Sequence, residues 1–364
     1  MRRFSVVFAY VLAVVIVGVA AGCATPKYPE GVYAEVTTNR GLIVLQLEFE
    51  KTPMTVANFI GLAEGTIKNS AVPFGTPYFE GTKWHRVVPG HVIQTGIAKG
   101  SKEGGPGYKF PNEIHPELNH DQAGMVNMAN KGPHTNGSQW CIMLGNRSYL
   151  DGDYSVFGHV HQGMDIVFSI VQGDEIQAIK IVRRGKAAEN FRPTTESFQR
   201  MVDDATARVK EDDAKRKQTE EETIAKNWPK AVSGGNGLKY IVLHEGKGER
   251  AAAGARLKLS YSGKTLGGTA FVSTAEAGKP YWGDKPEPFE YVVGSTHVTP
   301  GFDASVAQMK KGEKRLLIVP ADQGYGSPGF YAKEVKGEKR FHVSPDTILV
   351  YEVELVEMPR NQKK

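Results

Sequence analysis

The amino-acid sequence predicts a mainly β protein with few α-helices, in which a charged helical linker separates two domains. At roughly 150 residues per domain, the 364 residues allow about two domains and a remainder. Glycine is abundant at 41 residues, which favours turns and strands over a helical bundle. Short runs of alternating apolar and polar residues recur in both halves and are typical of strands.

The first 22 residues predict an export signal. Arg2 and Arg3 precede an almost wholly apolar stretch, and small residues stand before Cys23, which is the pattern of a cleaved signal peptide. A cysteine directly after Ala-Gly resembles a bacterial lipobox, which implies lipidation of Cys23, with residues 23–31 as a tether. The alternative is an uncleaved anchor of about 18 residues. Either way, we expect a membrane-anchored protein exposed to the periplasm or the exterior of a bacterial cell.

Residues 32–187 are expected to form the first domain. The stretches 32–37 and 42–48 alternate like strands around a turn, and Thr52-Pro53 opens a helix that extends to about Glu64. Shorter strands and glycine-rich loops continue to about Arg184.

Residues 188–236 are expected to be a charged helical linker. More than half of residues 199–226 carry a charge, and acid precedes base at i,i+4 in pairs such as Glu211 and Lys215, which favours a solvated helix. A short apolar stripe beginning at Phe198 predicts that the first half of this helix packs on a neighbouring surface. A partner-binding surface is the other interpretation of the charges.

Residues 237–358 are expected to form a second, different domain. Strands are predicted at 257–263, 289–293, 315–319 and 348–355, and a helix is predicted from Pro300 to Met309. The two halves share no obvious sequence similarity, which argues against an internal repeat.

Composition excludes several classes of function. A net charge of +5 is too mild for a dedicated nucleic-acid binder, and two cysteines cannot build a disulfide scaffold or a Cys₄ zinc site. The histidines do not form a convincing metal set, so neither a metal nor a cofactor is expected. Residues 104–107 (GGPG) resemble a phosphate loop only weakly, because no Gly-Lys-Ser/Thr follows and Pro106 lacks an amide donor.

Four segments of the first domain resemble the cyclophilin family. They are 84–96 (WHRVVPGHVIQTG), 104–110 (GGPGYKF), 126–140 (VNMANKGPHTNGSQW) and 149–160, which contains YLDG and VFGHV. The resemblance implies an eight-stranded β-barrel capped by helices and rotation about an Xaa-Pro bond, with proline-containing polypeptides as substrates. It assigns Arg86 as the donor near the prolyl nitrogen and Gln94 as a catalytic residue that holds the substrate backbone. The implied substrate pocket is lined by His91, Val92, Ala129, Asn130, Cys141, Tyr149, Leu150 and Tyr154.

Several pocket residues depart from the cyclophilin pattern. His91 and Cys141 stand where the family usually has phenylalanine, so we expect a pocket that grips proline less tightly. Tyr149 replaces a tryptophan, which predicts weak cyclosporin binding, and Tyr154 replaces a histidine. His91 is either a pH-sensitive element or a hydrogen-bonded pocket wall. Cys141 is either a redox sensor or a small buried hydrophobe.

The second domain resembles the FK506-binding protein family at 259–263 (LSYSG), 298–302 (VTPGF), 307–312 (AQMKKG), 324–326 (GYG) and 348–355 (ILVYEVEL). The implied fold is an antiparallel sheet wrapped on one short helix, and the implied site is an aromatic bowl that desolvates the same prolyl bond. Tyr325 is the implied catalytic donor to a substrate carbonyl. The implied lining is Tyr261, Phe271, Phe289, Val298, Thr299, Phe302, Val343 and Tyr351. A plain β-sheet core is the other interpretation of these aromatics.

Departures also occur in this second site. Val272 replaces a pocket aspartate, Thr299 an isoleucine and Phe302 a tryptophan, which predicts weakened FK506 binding. A charged insertion over residues 329–340 lengthens the loop above the pocket.

Together the two resemblances predict a dual-family, membrane-tethered, monomeric isomerase that helps exported proteins to fold. The rival hypothesis is a non-catalytic chaperone or receptor that grips proline-containing loops with weakened isomerase sites. No nucleic-acid partner is expected.

Overall fold

The computed structural model describes residues 28–99, 101, 104–274, 287–295, 298–331 and 341–358. The predicted signal segment 1–22, Cys23 and most of the tether lie outside the described residues, as does most of the charged insertion at 329–340. Among the residues that are described, no helix has the length and apolar character needed to cross a bilayer.

An antiparallel sheet of eight strands forms the first domain. Its strands are β1 (Gly31–Thr38), β2 (Gly41–Leu47), β3 (Arg86–Val88), β4 (Val92–Thr95), β5 (Met125–Met128), β6 (Trp140–Met143), β7 (Val156–Gln162) and β8 (Ile176–Arg184). They are ordered β3-β4-β6-β5-β7-β2-β1-β8. Lys83, just before β3, bridges Glu175, just before β8, and the amide of Trp84 donates to the carbonyl of Asp174 at 2.8 Å. The two ends of the sheet therefore meet and complete the predicted barrel.

Three short helices accompany this sheet: α1 (Pro53–Glu64), α2 (Met164–Ser169) and α3 (Lys186–Asn190). Helix α1 agrees with the predicted span, with Pro53 in its first turn and Gly65 in the left-handed conformation at its end. The carboxylate of Glu113 accepts hydrogen bonds from the amides of Met54 and Thr55, at 3.1 and 2.7 Å. A distant acidic residue thus caps the N-terminus of α1 and satisfies donors that the helix itself cannot.

Helix α4 (Thr195–Asn227) is the predicted charged helix. Thr194 and Ser197 form a capping box at its start. Phe198 is buried against Tyr108 and Phe110 of the first domain, with ring centroids 5.5 and 5.8 Å apart. The burial of Phe198 shows that the first half of α4 packs on the first domain, as the apolar stripe predicts. The middle of the helix is exposed and charged.

In its described residues, the second domain consists of short antiparallel strands and one α-helix, α5 (Pro300–Val306). Its strands are β9 (Val232–Gly235), β10 (Leu238–His244), β11 (Lys247–Arg250), β12 (Arg256–Thr265), β13 (Ala270–Ser273), β14 (Phe289–Val292), β15 (Lys310–Lys311), β16 (Lys314–Val319), β17 (Phe330–Tyr331), β18 (Phe341–Val343) and β19 (Leu349–Glu357). The main sheet has the order β13-β12-β19-β16-β10-β9, and β14 pairs with β12. Helix α5 is shorter than the predicted span, because the turn at residues 307–309 leads directly into β15.

Candidate functional site

Three adjacent strands place the central residues of the first site in one row. In the register of β3 and β4, Arg86 stands opposite Gln94, and in the register of β4 and β6, Gln94 stands opposite Cys141. Directly opposed residues on neighbouring strands project to the same face of a sheet. Residues separated by up to 55 positions in the sequence therefore share one surface.

A cavity of about 700 Å³ opens over this row of residues. It is lined by every first-domain residue that the cyclophilin resemblance selected: Arg86, Gln94, His91, Val92, Ala129, Asn130, Cys141, Tyr149, Leu150 and Tyr154. Lys131, Met143 and Arg147 also line it, as does Pro328 of the second domain. The sequence motifs did not select these four residues.

A relay of side-chain amides fixes the orientation of Gln94. The Nε2 of Gln139 donates to the backbone carbonyl of Gly104 at 2.7 Å, so the Oε1 of Gln139 faces the other way. That oxygen accepts from the Nε2 of Gln94 at 2.8 Å. Because a backbone carbonyl can only accept a hydrogen bond, the carbonyl of Gly104 fixes the orientation of the Gln139 amide, which in turn fixes that of Gln94. The Oε1 of Gln94 is left as an acceptor on the cavity side. Sequence reasoning missed the role of Gln139, although it lies inside a quoted motif.

The side chain of Arg86 is exposed at the mouth of the cavity, and its guanidinium forms no hydrogen bond or ion pair with the residues that the structure describes. Burial raises the pKa of the Cys141 thiol, and the positive charge of Arg86 is close enough to offset part of that rise. The guanidinium thus lies near the cavity wall with its donors available to a bound molecule.

His91 is a hydrogen-bonded part of the cavity wall. Its Nδ1 accepts a hydrogen bond from the Nε of Arg147 at 2.7 Å, so the imidazole is neutral and its proton lies on Nε2. Arg147 also donates to the carbonyls of Gly90 and Asn146. These bonds support the interpretation of His91 as a pocket wall over that of a pH-sensitive element.

Cys141 is buried in the floor of the cavity beside Val92 and Met143. Burial raises the pKa of its thiol to about 12, although the charge of Arg86 acts in the opposite direction. Because the reactive species is the thiolate, Cys141 is a small hydrophobic group here, which disfavours the redox-sensor interpretation.

Polar contacts hold the opposite side of the cavity. The side-chain amide of Asn130 donates to the carbonyl of Asp153 at 2.9 Å, and its oxygen accepts from the amide of Gly132 at 3.2 Å. Tyr154 lies edge-on to His120, with ring centroids 6.4 Å apart. His120 is fully buried, and its Nδ1 lies 2.7 Å from Asp151. These contacts fix the loop segments that carry the cavity residues.

The second predicted site is an aromatic cluster between the sheet and α5. Tyr261 packs against Phe289, Phe302 and Tyr351, with ring centroids 5.8, 5.0 and 6.4 Å away. Phe271 also touches Tyr351, at 5.7 Å. Val343 and Thr299 are buried in the same region, and Val298 is half-buried.

The outer edge of this cluster is less buried than its floor. Tyr325 stacks on Phe330 with centroids 4.6 Å apart and meets the edge of Phe271 at 6.3 Å. Tyr261, Phe302 and Tyr351 are almost fully buried below them. The structure thus brings the nine predicted residues of the second domain together, with Tyr325 on the side open to solvent.

Asp303 places a carboxylate beside the second cluster that sequence reasoning missed. Burial raises the pKa values of Tyr261 and Tyr291, and the nearby charge of Asp303 raises them further. Val272, which stands where the resemblance usually has an aspartate, is buried in the same core. An acidic group therefore remains next to Tyr261 but comes from α5 instead of β13.

Comparisons with known proteins agree with both parts of this description. Residues 33–191 match the family model "Cyclophilin type peptidyl-prolyl cis-trans isomerase/CLD", and residues 247–356 match "FKBP-type peptidyl-prolyl cis-trans isomerase".

Curated relatives match the first domain. Peptidyl-prolyl cis-trans isomerase A of Mycobacterium tuberculosis is 38% identical over 165 residues, which cover 44% of this chain and 85% of that protein. Peptidyl-prolyl cis-trans isomerase B of Streptomyces anulatus is 42% identical over 135 residues, covering 36% and 77%. A cyclophilin type isomerase of Cryptosporidium parvum aligns in a crystal structure with 28% identity and a TM-score of 0.37, covering 43% of this chain and 100% of that one.

Proposed function

Because the chain belongs to the cyclophilin-type peptidyl-prolyl cis-trans isomerases through residues 33–191 and carries an FKBP-type domain at residues 247–356, it is a peptidyl-prolyl isomerase, and we propose that it serves as a membrane-tethered folding helper for exported proteins. Its substrates are proline-containing polypeptide segments. The proposal is supported by the two isomerase-family domains in one chain, together with the export signal that residues 1–22 predict.

The reaction needs neither a nucleophile nor an electron acceptor. Conjugation of the amide gives rotation about the Xaa-Pro bond a barrier of ~18–20 kcal/mol, and uncatalysed exchange takes tens of seconds or longer. As the bond twists, conjugation is lost and the lone pair localises on the prolyl nitrogen. A catalyst acts by stabilising that twisted state more than either planar state.

In the first site, we assign three tasks to the cavity residues. The guanidinium of Arg86 donates toward the prolyl nitrogen of the twisted substrate, where negative charge develops. The Oε1 of Gln94, oriented by Gln139, accepts from a substrate backbone amide. Val92, Cys141 and Leu150 supply the apolar surface that holds the proline ring.

In the second site, we assign most of the lowering of the rotation barrier to desolvation of the substrate. The aromatic cluster removes water from the prolyl amide. Because the twisted state is less polar than the planar states, this loss of water stabilises it relative to them. Burial keeps the phenols of Tyr261 and Tyr351 neutral, because it raises their pKa values. We assign to Tyr325 the donation of a hydrogen bond to a substrate carbonyl.

Refolding of an unfolded protein with a slow proline-limited phase tests the folding role. The intact chain should accelerate that phase, and Arg86→Ala combined with Tyr325→Ala should move its rate toward the uncatalysed value. If the wild-type chain leaves the slow phase unchanged while isomerising short peptides, the folding role is wrong.

Fractionation of the producing cell tests the membrane tether. The wild-type chain should sediment with membranes and carry acyl chains on Cys23, whereas Cys23→Ala should lose the acyl chains and separate from the membranes. A non-acylated wild-type chain in the membrane fraction would support the uncleaved anchor instead.

A non-catalytic chaperone remains the second candidate, and the substitutions at His91 and Cys141 favour it. Both remove apolar surface that the cyclophilin resemblance places around the proline ring. Suppression of client aggregation that is unchanged in Arg86→Ala and in Tyr325→Phe would support this second candidate. Loss of the effect in either variant would count against it.

A further inference from the structure

The wall of the first cavity contains a cation that the isomerase mechanism does not use. Arg147 lies 56 positions after His91, and its guanidinium is held by His91 and by the carbonyls of Gly90 and Asn146. All three acceptors are uncharged. The bonds fix the guanidinium at the cavity wall without neutralising its charge.

The remaining charged residues of the cavity lining carry the same sign. Besides Arg147 they are Arg86 and Lys131, and among the described residues no aspartate or glutamate lines this cavity. None of the three cations forms an ion pair with a residue in the described part of the chain. The nearby carboxylate of Asp151 instead bonds to the backbone amide and the ring of His120. All the charged side chains that line the described part of this cavity are therefore positive.

A cavity of this kind discriminates between peptides by charge. Unlike charges within several ångströms attract even near a protein surface, and partly enclosed sites are screened less by salt than open ones. Arginine is well suited to bind a carboxylate, because its planar donors match the two oxygens. Here three donors of Arg147 are committed to His91, Asn146 and Gly90, which leaves two of its five donors for a ligand.

We propose that the first site selects proline segments with an acidic side chain next to the proline, and that Arg147 is the residue that determines this preference. The proposal rests on the proposed location of the reaction in the first cavity. It adds a substrate class to that reaction: acidic Xaa-Pro or Pro-Xaa segments. In this site, attraction between Arg147 and the acidic residue next to the proline then compensates for the apolar contact with the proline ring that a phenylalanine at position 91 would make.

The test uses tetrapeptides that differ only in one residue, Glu, Gln or Lys, placed either before or after the proline. The value of kcat/KM is measured for the intact wild-type chain and for Arg86→Ala. The difference between the two values is taken as the activity of the first site. At low salt, the Glu peptide should exceed the Gln peptide by roughly three- to tenfold in at least one series, with the Lys peptide lowest. High salt should reduce the differences in kcat/KM between the three peptides.

Variants at the same position decide whether Arg147 is responsible. Arg147→Ala should flatten the order, Arg147→Glu should reverse it, and Arg147→Lys should retain it in weaker form. Lys180→Glu is the matched control, because it makes the same change in net charge on β8, where Lys180 contacts Glu35 outside the cavity lining. This control should leave the order unchanged.

Peptide binding, measured by fluorescence anisotropy, keeps the two proposals distinguishable. If the first site isomerises no peptide but the Glu peptide binds more tightly than the Gln peptide, the proposal that the reaction takes place in the first cavity is wrong. The proposed preference for acidic peptides is then still supported. Equal kcat/KM and equal binding of the Glu and Gln peptides would overturn the charge preference. An order that persists unchanged in Arg147→Glu would overturn the role of Arg147.

Discussion

Replacement of Gln139 by leucine tests how the first site orients its substrate. Leucine has a similar size but offers neither the donor to Gly104 nor the acceptor to Gln94, which are joined to Gln139 at 2.7 and 2.8 Å. Without this relay, the amide of Gln94 can turn and present its NH₂ group to a substrate amide. One hydrogen bond to the substrate is then lost in part of the molecules.

The expected loss follows from the value of one neutral hydrogen bond. A net contribution of about 0.5–1.5 kcal/mol corresponds to a decrease of roughly 2- to 12-fold in kcat/KM for the first site, since about 1.4 kcal/mol is a factor of ten. Gln94→Ala removes the same bond completely and should show at least this loss. The double variant should be no worse than Gln94→Ala, because both changes act on one contact.

The assay follows isomerisation of an Xaa-Pro tetrapeptide by the intact chain, with the activity of Arg86→Ala subtracted. Urea unfolding of each variant serves as the control for stability, and Gln139→Leu should remain folded under assay conditions. If Gln139→Leu and the wild type agree within error while Gln94→Ala is impaired, the amide relay does not orient Gln94. Additive losses in the double variant would contradict the reasoning as well.

Three further predictions concern the first domain. Glu113→Gln should destabilise it by about 1–3 kcal/mol in urea unfolding, because one acceptor oxygen at the start of α1 becomes a donor; an unchanged midpoint would contradict the cap. Burial lowers the pKa values of His85, His120 and His159, so the unfolded chain takes up protons first and stability should fall as pH drops below about 6.5; His120→Gln should flatten the slope. Iodoacetamide at pH 8 should label Cys141 only after unfolding, as mass spectrometry can check, because burial keeps the thiol protonated.

Local sequence patterns predicted several elements of both domains and many of the residues around each site. Alternating runs gave strands β1 and β2, and Thr52-Pro53 marked the start of α1. The cyclophilin motifs selected ten residues that the structure places around one cavity. These predictions succeeded because strand alternation, proline geometry and short motifs are encoded by neighbouring residues.

Contacts between distant side chains could not be predicted in the same way. The bond from Arg147 to His91 spans 56 positions, and the cap of Glu113 on Met54 spans 59. No periodicity links such pairs, because their meeting depends on how strands and loops are arranged in the folded sheet. The carboxylate of Asp303 beside Tyr261 was missed for the same reason.

The central claim is that the chain holds two separate isomerase sites, and a four-protein assay tests it most directly. The intact wild type, Arg86→Ala, Tyr325→Ala and the double variant are compared for kcat/KM on one Xaa-Pro tetrapeptide, with folding checked by circular dichroism. Each single variant should retain the activity of the other site, their losses should add, and the double variant should have the lowest kcat/KM of the four proteins. Full activity in the double variant, or complete loss in one single variant, would contradict the claim.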